Sequence, residues 1–248
     1  MALFLPGGVK TRGVLLDLDG TILDSQEGIL ATFRHTLAEM GCRIPDSHEL
    51  FGWIGPPFPE SLRNWTDLDD SGIARAVATY RDYYTKVGES MSAPFPGMVD
   101  AIHTMRRSGL TLGLATSKPR SQALRMLDQI GLLHVFTAKG CASDDEKRGT
   151  KSEVVDDALS ELAEQEIPTS GLVMVGDRIH DFEAATEHDL TSIAVTWGYG
   201  NASEWAHATS MVSTPEELLS VVLGDEAVFE LTPQKPTIKE DKSYASTG

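Results

Sequence analysis

Gly13-Val14-Leu15-Leu16-Asp17-Leu18-Asp19-Gly20-Thr21 is a short apolar run that stops abruptly at charge and at glycine. Four consecutive apolar residues bounded in this way predict a strand buried on both faces. Asp17 stands at its carboxyl end and Asp19 two residues on, so both carboxylates reach one mouth, while Gly20 permits a sharp turn of the backbone.

The sequence on either side is of two kinds. Upstream of Pro94, Ile29, Phe33, Leu37 and Met40 recur at helical spacing and Gly41 follows as a stop; Ile73, Val77, Tyr80 and Tyr84 repeat the pattern. Residues 25–92 therefore predict a helical unit without strands, interrupted by a Gly- and Pro-broken stretch at 51–59. After Pro94-Phe95-Pro96-Gly97 the pattern alternates. Helices are expected at 98–108, 121–130 and 152–164, and strands at 110–115, 134–137, 172–175 and 191–195. Strands separated by helices of this length predict an α/β fold with a doubly wound, parallel, Rossmann-like sheet. The expected division is a core of residues 1–23 and 93–224, an inserted α-helical cap of residues 24–92, and a disordered polar tail of residues 225–248.

Composition limits what such a domain does. The chain has 248 residues, 41% hydrophobic and 23% charged, enough to bury a full core. With 21 Lys+Arg against 37 Asp+Glu the formal charge is -16, which repels a phosphate backbone and argues against nucleic-acid partners. Cys42 and Cys141 are too few for a disulfide framework or zinc site. The first residues lack a signal-peptide core and no run reaches the roughly 20 apolar residues of a membrane span, so a cytoplasmic protein without membrane partners is expected.

In open α/β sheets ligands bind beyond the carboxyl ends of the strands. The residues there are Asp17 to Thr21, Thr116-Ser117-Lys118, Lys151 ahead of its helix, and Gly176-Asp177-Arg178-Ile179-His180-Asp181. Carboxylates held close repel, and a divalent cation relieves them; Asp17 and Asp19 with Asp177 as a third oxygen ligand point to a hard cation, Mg²⁺. A carboxylate placed in line is a nucleophile toward phosphorus, which suits Asp17, and a second carboxyl serves as acid and then base, which suits Asp19. Thr116 offers a hydroxyl and an amide to phosphoryl oxygens, and Lys151 a balancing charge. Asp181 is placed to orient Lys151 or the metal's waters. Ser117, Gly20 and Thr21 join the phosphate-binding candidates, and Lys118 either contacts phosphate or solvates a loop. Lys147 and Arg148 compete with Lys151 for its role.

The DLDGT, ATSK, Lys151 and GDRIHD segments, in this order, resemble the haloacid dehalogenase-like hydrolase superfamily over residues 13–222. The resemblance implies a nucleophile at Asp17, an acid/base at Asp19, phosphate binding at Thr116, the family lysine at Lys151, an acidic pair at Asp177 and Asp181, and a backbone-carbonyl metal ligand at Asp19. Dehalogenases lack the second aspartate, so Asp19 implies phosphate chemistry. The helical insert matches the family's mobile cap, and the IGPPFPESL and VTWGYG segments are similar to phosphoglycolate phosphatase-like members. The expected activity is Mg²⁺-dependent hydrolysis of a small phosphorylated metabolite by a monomer or homodimer. A 5′-nucleotidase or pyrophosphatase, a phosphomutase, and a non-catalytic phospho-acceptor module are the rivals.

Overall fold

The computed structural model describes residues 11–54, 58–145 and 147–224. The expected disordered tail, residues 225–248, lies outside them.

The stretch after residue 12 is strand β1 (Gly13–Leu16), buried at every position. The two-residue strand β2 (Leu23–Asp24) leads into the helical segment: α1 (Gln26–Glu39), α2 (Ser47–Phe51), α3 (Phe58–Trp65), α4 (Asp70–Lys86) and a 3₁₀ turn at Gly88–Met91. Strand β3 (Ala93–Pro94) returns the chain antiparallel to β2, pairing Leu23 with Pro94, so one short ribbon ties both ends of the helical segment together. The alternating half follows as α5 (Met98–Arg107), β4 (Thr111–Pro119), α6 (Arg120–Gln129), β5 (Ala138–Ala142), α7 (Lys151–Glu164), β6 (Leu172–Gly176), α8 (Ile179–Glu187), β7 (Thr191–Val195), α9 (Ala202–Trp205), β8 (Ser210–Val212) and α10 (Pro215–Leu223).

The six long-range strands form one parallel sheet in the order β5-β4-β1-β6-β7-β8. The chain winds outward from β1 to β4 and β5, then restarts on the other side with β6, so the carboxyl end of β1 sits where the winding reverses. That is the position at which such sheets form a crevice. Alternation along β1 covers both faces: Leu15 packs with Val154, Ala158 and Leu162 of α7, whereas Val14 and Leu16 join the larger cluster with Met98, Ile102 and Leu218 from α5 and α10.

The strand expected at 134–137 lies four residues later, at Ala138–Ala142. Val135 instead turns back onto the carbonyl of Leu132, and Phe136 is buried as a loop anchor. The apolar signal marked the anchor, while the true strand, AKGCA, is small because α7 lies directly on it. A Cβ at Gly140 would stand 1.8 Å from the Val154 carbonyl oxygen. Gly140→Ala is therefore expected to lower unfolding stability by about 1–3 kcal/mol, read as a lower urea midpoint with unchanged m. An unchanged midpoint would show that the helix yields at no cost. Strand β8 and helix α10 lie in a stretch for which the sequence predicted no element. Cys42 and Cys141 are free thiols, as expected.

Candidate active site

The four segments meet at the carboxyl edge of the sheet. Asp17 continues the ladder by donating its amide to the Val175 carbonyl at 3.0 Å, which holds its carboxyl end-on at the mouth of the cavity. Lys151 is the first residue of α7, whose start is set by a capping box between Thr150 and Glu153. Its Nζ, buried, lies 2.7 Å from Asp17 Oδ1 and 3.0 Å from Asp181 Oδ1, and donates to the Ala115 carbonyl at 3.1 Å. The rivals for its role point away: Lys147 pairs with Asp145, and Arg148 with Asp157 at 2.8 Å, both on the surface.

Asp19 is held from two sides. Ser25, the residue before α1, makes no side-chain cap to its helix; its hydroxyl donates to Asp19 Oδ1 at 2.6 Å instead. Lys118 donates to both Asp19 oxygens, at 3.1 and 2.8 Å, and to the Tyr84 hydroxyl of α4 at 3.0 Å, with its ammonium 4.5 Å from that ring. Lys118 is thus buried in the site and not a loop solvator. Burial disfavours its charge, but the facing Asp19 carboxylate more than offsets this and holds the ammonium above its ordinary range. Thr116 is buried, its hydroxyl accepting from the Lys118 amide at 3.2 Å, and with Ser117 it lines the cavity. Gly20 and Thr21 face Asp177 rather than the cavity. Gly20 adopts φ 86°, and a Cβ there would come within 2.3 Å of Asp177 Oδ2, so glycine answers both the left-handed turn and the close approach. The Thr21 hydroxyl donates to Asp177 Oδ1 at 3.3 Å.

Carboxylate oxygens of Asp17, Asp177 and Asp181 lie within 4.8 Å of one another, all buried. Asp181, in the first turn of α8, accepts the amides of Asp177 and Arg178 at 3.1 and 3.0 Å through one oxygen and meets Lys151 through the other. Burial pushes the Asp17 carboxyl up to about 6, Lys151 working against this and Asp181 with it. Burial also raises Asp177 well above the carboxylate range, reinforced by repulsion from Asp181 and Asp17 and opposed by the Tyr199 amide, which donates to it at 2.7 Å. Three buried carboxylates facing one ammonium leave an excess of negative charge, and an oxygen-only set of this kind suits a small hard divalent cation. Asp181 belongs to this cluster as closely as Asp177 does, so its carboxylate stands within ligand range as well as beside Lys151.

Several contributors were not legible in the sequence. Tyr199 donates its amide to Asp177, and its hydroxyl accepts the Ser25 amide at 2.7 Å, joining the sheet to the start of α1. The flanking glycines carried that signal. A Cβ at Gly198 would lie 2.3 Å from the Gly20 carbonyl, and one at Gly200 1.9 Å from that of Asp177. Arg178 pairs with Glu204 at 2.9 Å and donates to the Ile54 carbonyl of the helical segment. Trp197 packs against the core and donates its indole N–H to the Thr21 carbonyl at 3.1 Å. The Gly55-Pro56-Pro57 part of the IGPPFPESL segment lies outside the described residues.

The profile of haloacid dehalogenase-like hydrolases matches residues 14–195. Among curated relatives, the tyrosine-protein kinase PtkA of Mycobacterium tuberculosis is 38% identical over 79% of this chain, which spans 65% of that protein's length. A 5′-nucleotidase of Pseudomonas aeruginosa is 29% identical over 79% of this chain and 87% of its own. Relatives named pyrophosphatase and phosphoglycolate phosphatase match at 29% and 26% identity. Among solved structures, a "predicted phosphatase" from Clostridium acetobutylicum superposes with a TM-score of 0.78 at 29% identity, covering 90% of this chain and all (100%) of its own. Sheet order, site and profile agree over the same residues, and the chain belongs to the haloacid dehalogenase-like hydrolases.

Proposed function

We propose that this chain is a Mg²⁺-dependent phosphatase that cleaves a small phosphate monoester through an aspartyl-phosphate on Asp17. The observation that carries the reading is the pair of carboxylates at the end of β1, each held by its own buried lysine: Asp17 by Lys151 and Asp19 by Lys118. In the first step an Asp17 oxygen bonds to phosphorus, the ester P–O bond breaks, and the leaving oxygen takes a proton from Asp19. In the second, water attacks phosphorus, the Asp17–phosphorus bond breaks, and Asp19 takes the water's proton. Lys151, Thr116, Ser117 and Lys118 bind the phosphoryl oxygens, while Gly20 and Thr21 shape the loop against Asp177. Asp17, Asp177 and the Asp19 carbonyl would hold Mg²⁺, which when bound would supply positive charge to offset that of the phosphoryl group. Residues 24–92 serve as a cap that excludes water from the core of residues 1–23 and 93–224.

The identity with a tyrosine kinase favours a second reading, in which the phosphoryl group passes to a protein tyrosine instead of water. One experiment separates them. Phosphate release is measured with Mg²⁺, and with EDTA in its place, from 2-phosphoglycolate, nucleoside monophosphates, sugar phosphates and pyrophosphate, beside an arm with ATP and a tyrosine peptide. Release from at least one ester, lost with EDTA and restored by Mg²⁺, is expected. No release from any ester would sink the phosphatase reading, and phosphotyrosine formed from ATP would establish the second.

A further inference from the structure

The cavity has two chemically different ends. The sheet end presents Asp17, Asp19, Thr116 and Lys151, while the far end is walled by Ile29, Phe33, Trp53, Ile54, Phe58 and Tyr80. These six come from α1, the turn after α2, α3 and α4, all in the helical segment. Its rings pack on one another: Phe33 on Phe58 at 5.1 Å between centroids, Phe33 on Trp53 at 5.8 Å, and Phe58 on Tyr80 at 4.6 Å.

The lining cations each already face a carboxylate, Arg178 reaching the wall as well through the Ile54 carbonyl. Among the described lining residues, Lys118 pairs with Asp19, Lys151 with Asp17 and Asp181, and Arg178 with Glu204. His180 lies 3.9 Å from Glu183. An ester whose leaving group carries its own carboxylate would bring that charge against rings, with the lining cations already committed to carboxylates and to the phosphoryl group, in a protein already at -16. An uncharged ring would instead gain burial and edge or face contacts with its neighbours.

We propose that the ester taken by this site carries an uncharged, largely apolar leaving group of aromatic size, seated in the ring-walled end of the cavity. The inference rests on the phosphatase reading for its chemistry, and on the cavity alone for its selectivity. Benzyl phosphate and 2-phosphoglycolate test it fairly, because both are esters of primary alcohols and leaving-group basicity does not decide between them. With Mg²⁺ present, kcat/KM is expected to favour benzyl phosphate by at least about tenfold. Phe58→Ala is expected to shrink that ratio severalfold, with circular dichroism confirming the fold. Should that variant unfold, the wild-type ratio still decides.

Binding of the non-hydrolysable benzylphosphonate and phosphonoacetate to wild-type protein, followed by calorimetry, reads the same preference without turnover. Tighter benzylphosphonate binding without hydrolysis of any ester would uphold the inference and overturn the phosphatase reading. Hydrolysis with equal or better use of 2-phosphoglycolate would overturn the inference and leave the phosphatase reading standing. Absence of both hydrolysis and a benzylphosphonate preference would overturn both.

Discussion

Asp17→Asn is expected to reduce phosphate release by at least about four orders of magnitude, since the proposed reaction has no other route once its nucleophile is gone. The loss should fall on kcat, because Lys151, Thr116 and Lys118 remain to bind phosphate. Folding should survive the change. The carboxyl is buried and already pushed up to about 6, so its neutral amide removes repulsion with Asp177 and Asp181 while keeping the shape. Lys151 retains Asp181 at 3.0 Å and the Ala115 carbonyl at 3.1 Å. A melting temperature within a few degrees of wild type, together with lost turnover, is the predicted pairing. Turnover equal to wild type would end the case for Asp17 as nucleophile.

Lys151→Met should harm both activity and stability. The ammonium is the cation shared by Asp17 and Asp181, and its removal leaves three clustered, buried carboxylates without that counter-charge. Breaking a buried pair on one side costs about 3–5 kcal/mol, so a clear drop in melting temperature is expected in the absence of Mg²⁺. Added Mg²⁺ should restore part of that stability by supplying positive charge to the same oxygens, and should raise the melting temperature of the variant more than that of wild type. Activity should remain low in either case, by about 100-fold or more, because the lysine also faces the phosphoryl position. A variant as stable as wild type without metal would show that the cluster is protonated or solvated rather than held by Lys151.

Much of this was legible in the sequence. The buried run at 13–16, the helical stripes at Ile29, Phe33 and Leu37, and the alternation after Pro94 announced a parallel sheet with a helical insert, because periodicity records which faces are covered. The strand-end polar residues fell in order along the chain, so Asp17, Asp19, Thr116, Lys151, Asp177 and Asp181 could be picked out before any contact was known. The strand near Cys141 could not. Its small residues reflect the approach of Val154 in α7 to Gly140, a fact about a partner in a separate element, whereas Val135 and Phe136 advertised apolarity that a loop uses as an anchor.

Sequence by itself determined the parallel class of the sheet with strands β1, β4, β6 and β7, the helical insert and the set of groups at the strand ends, since each follows from local pattern and from the rule that ligands meet such sheets at the carboxyl edge. Only the tertiary structure decided the pairings. It set Lys118 against Asp19 and Tyr84, Lys151 between Asp17 and Asp181, and Tyr199 beneath Asp177. It also gathered rings from four separate stretches of the helical segment into one wall. A side chain's type travels with the chain, but its charge state and its neighbours depend on what else is buried within a few ångströms. Residues as far apart as Tyr199 and Ser25 share a hydrogen bond only because six strands are stacked in one order.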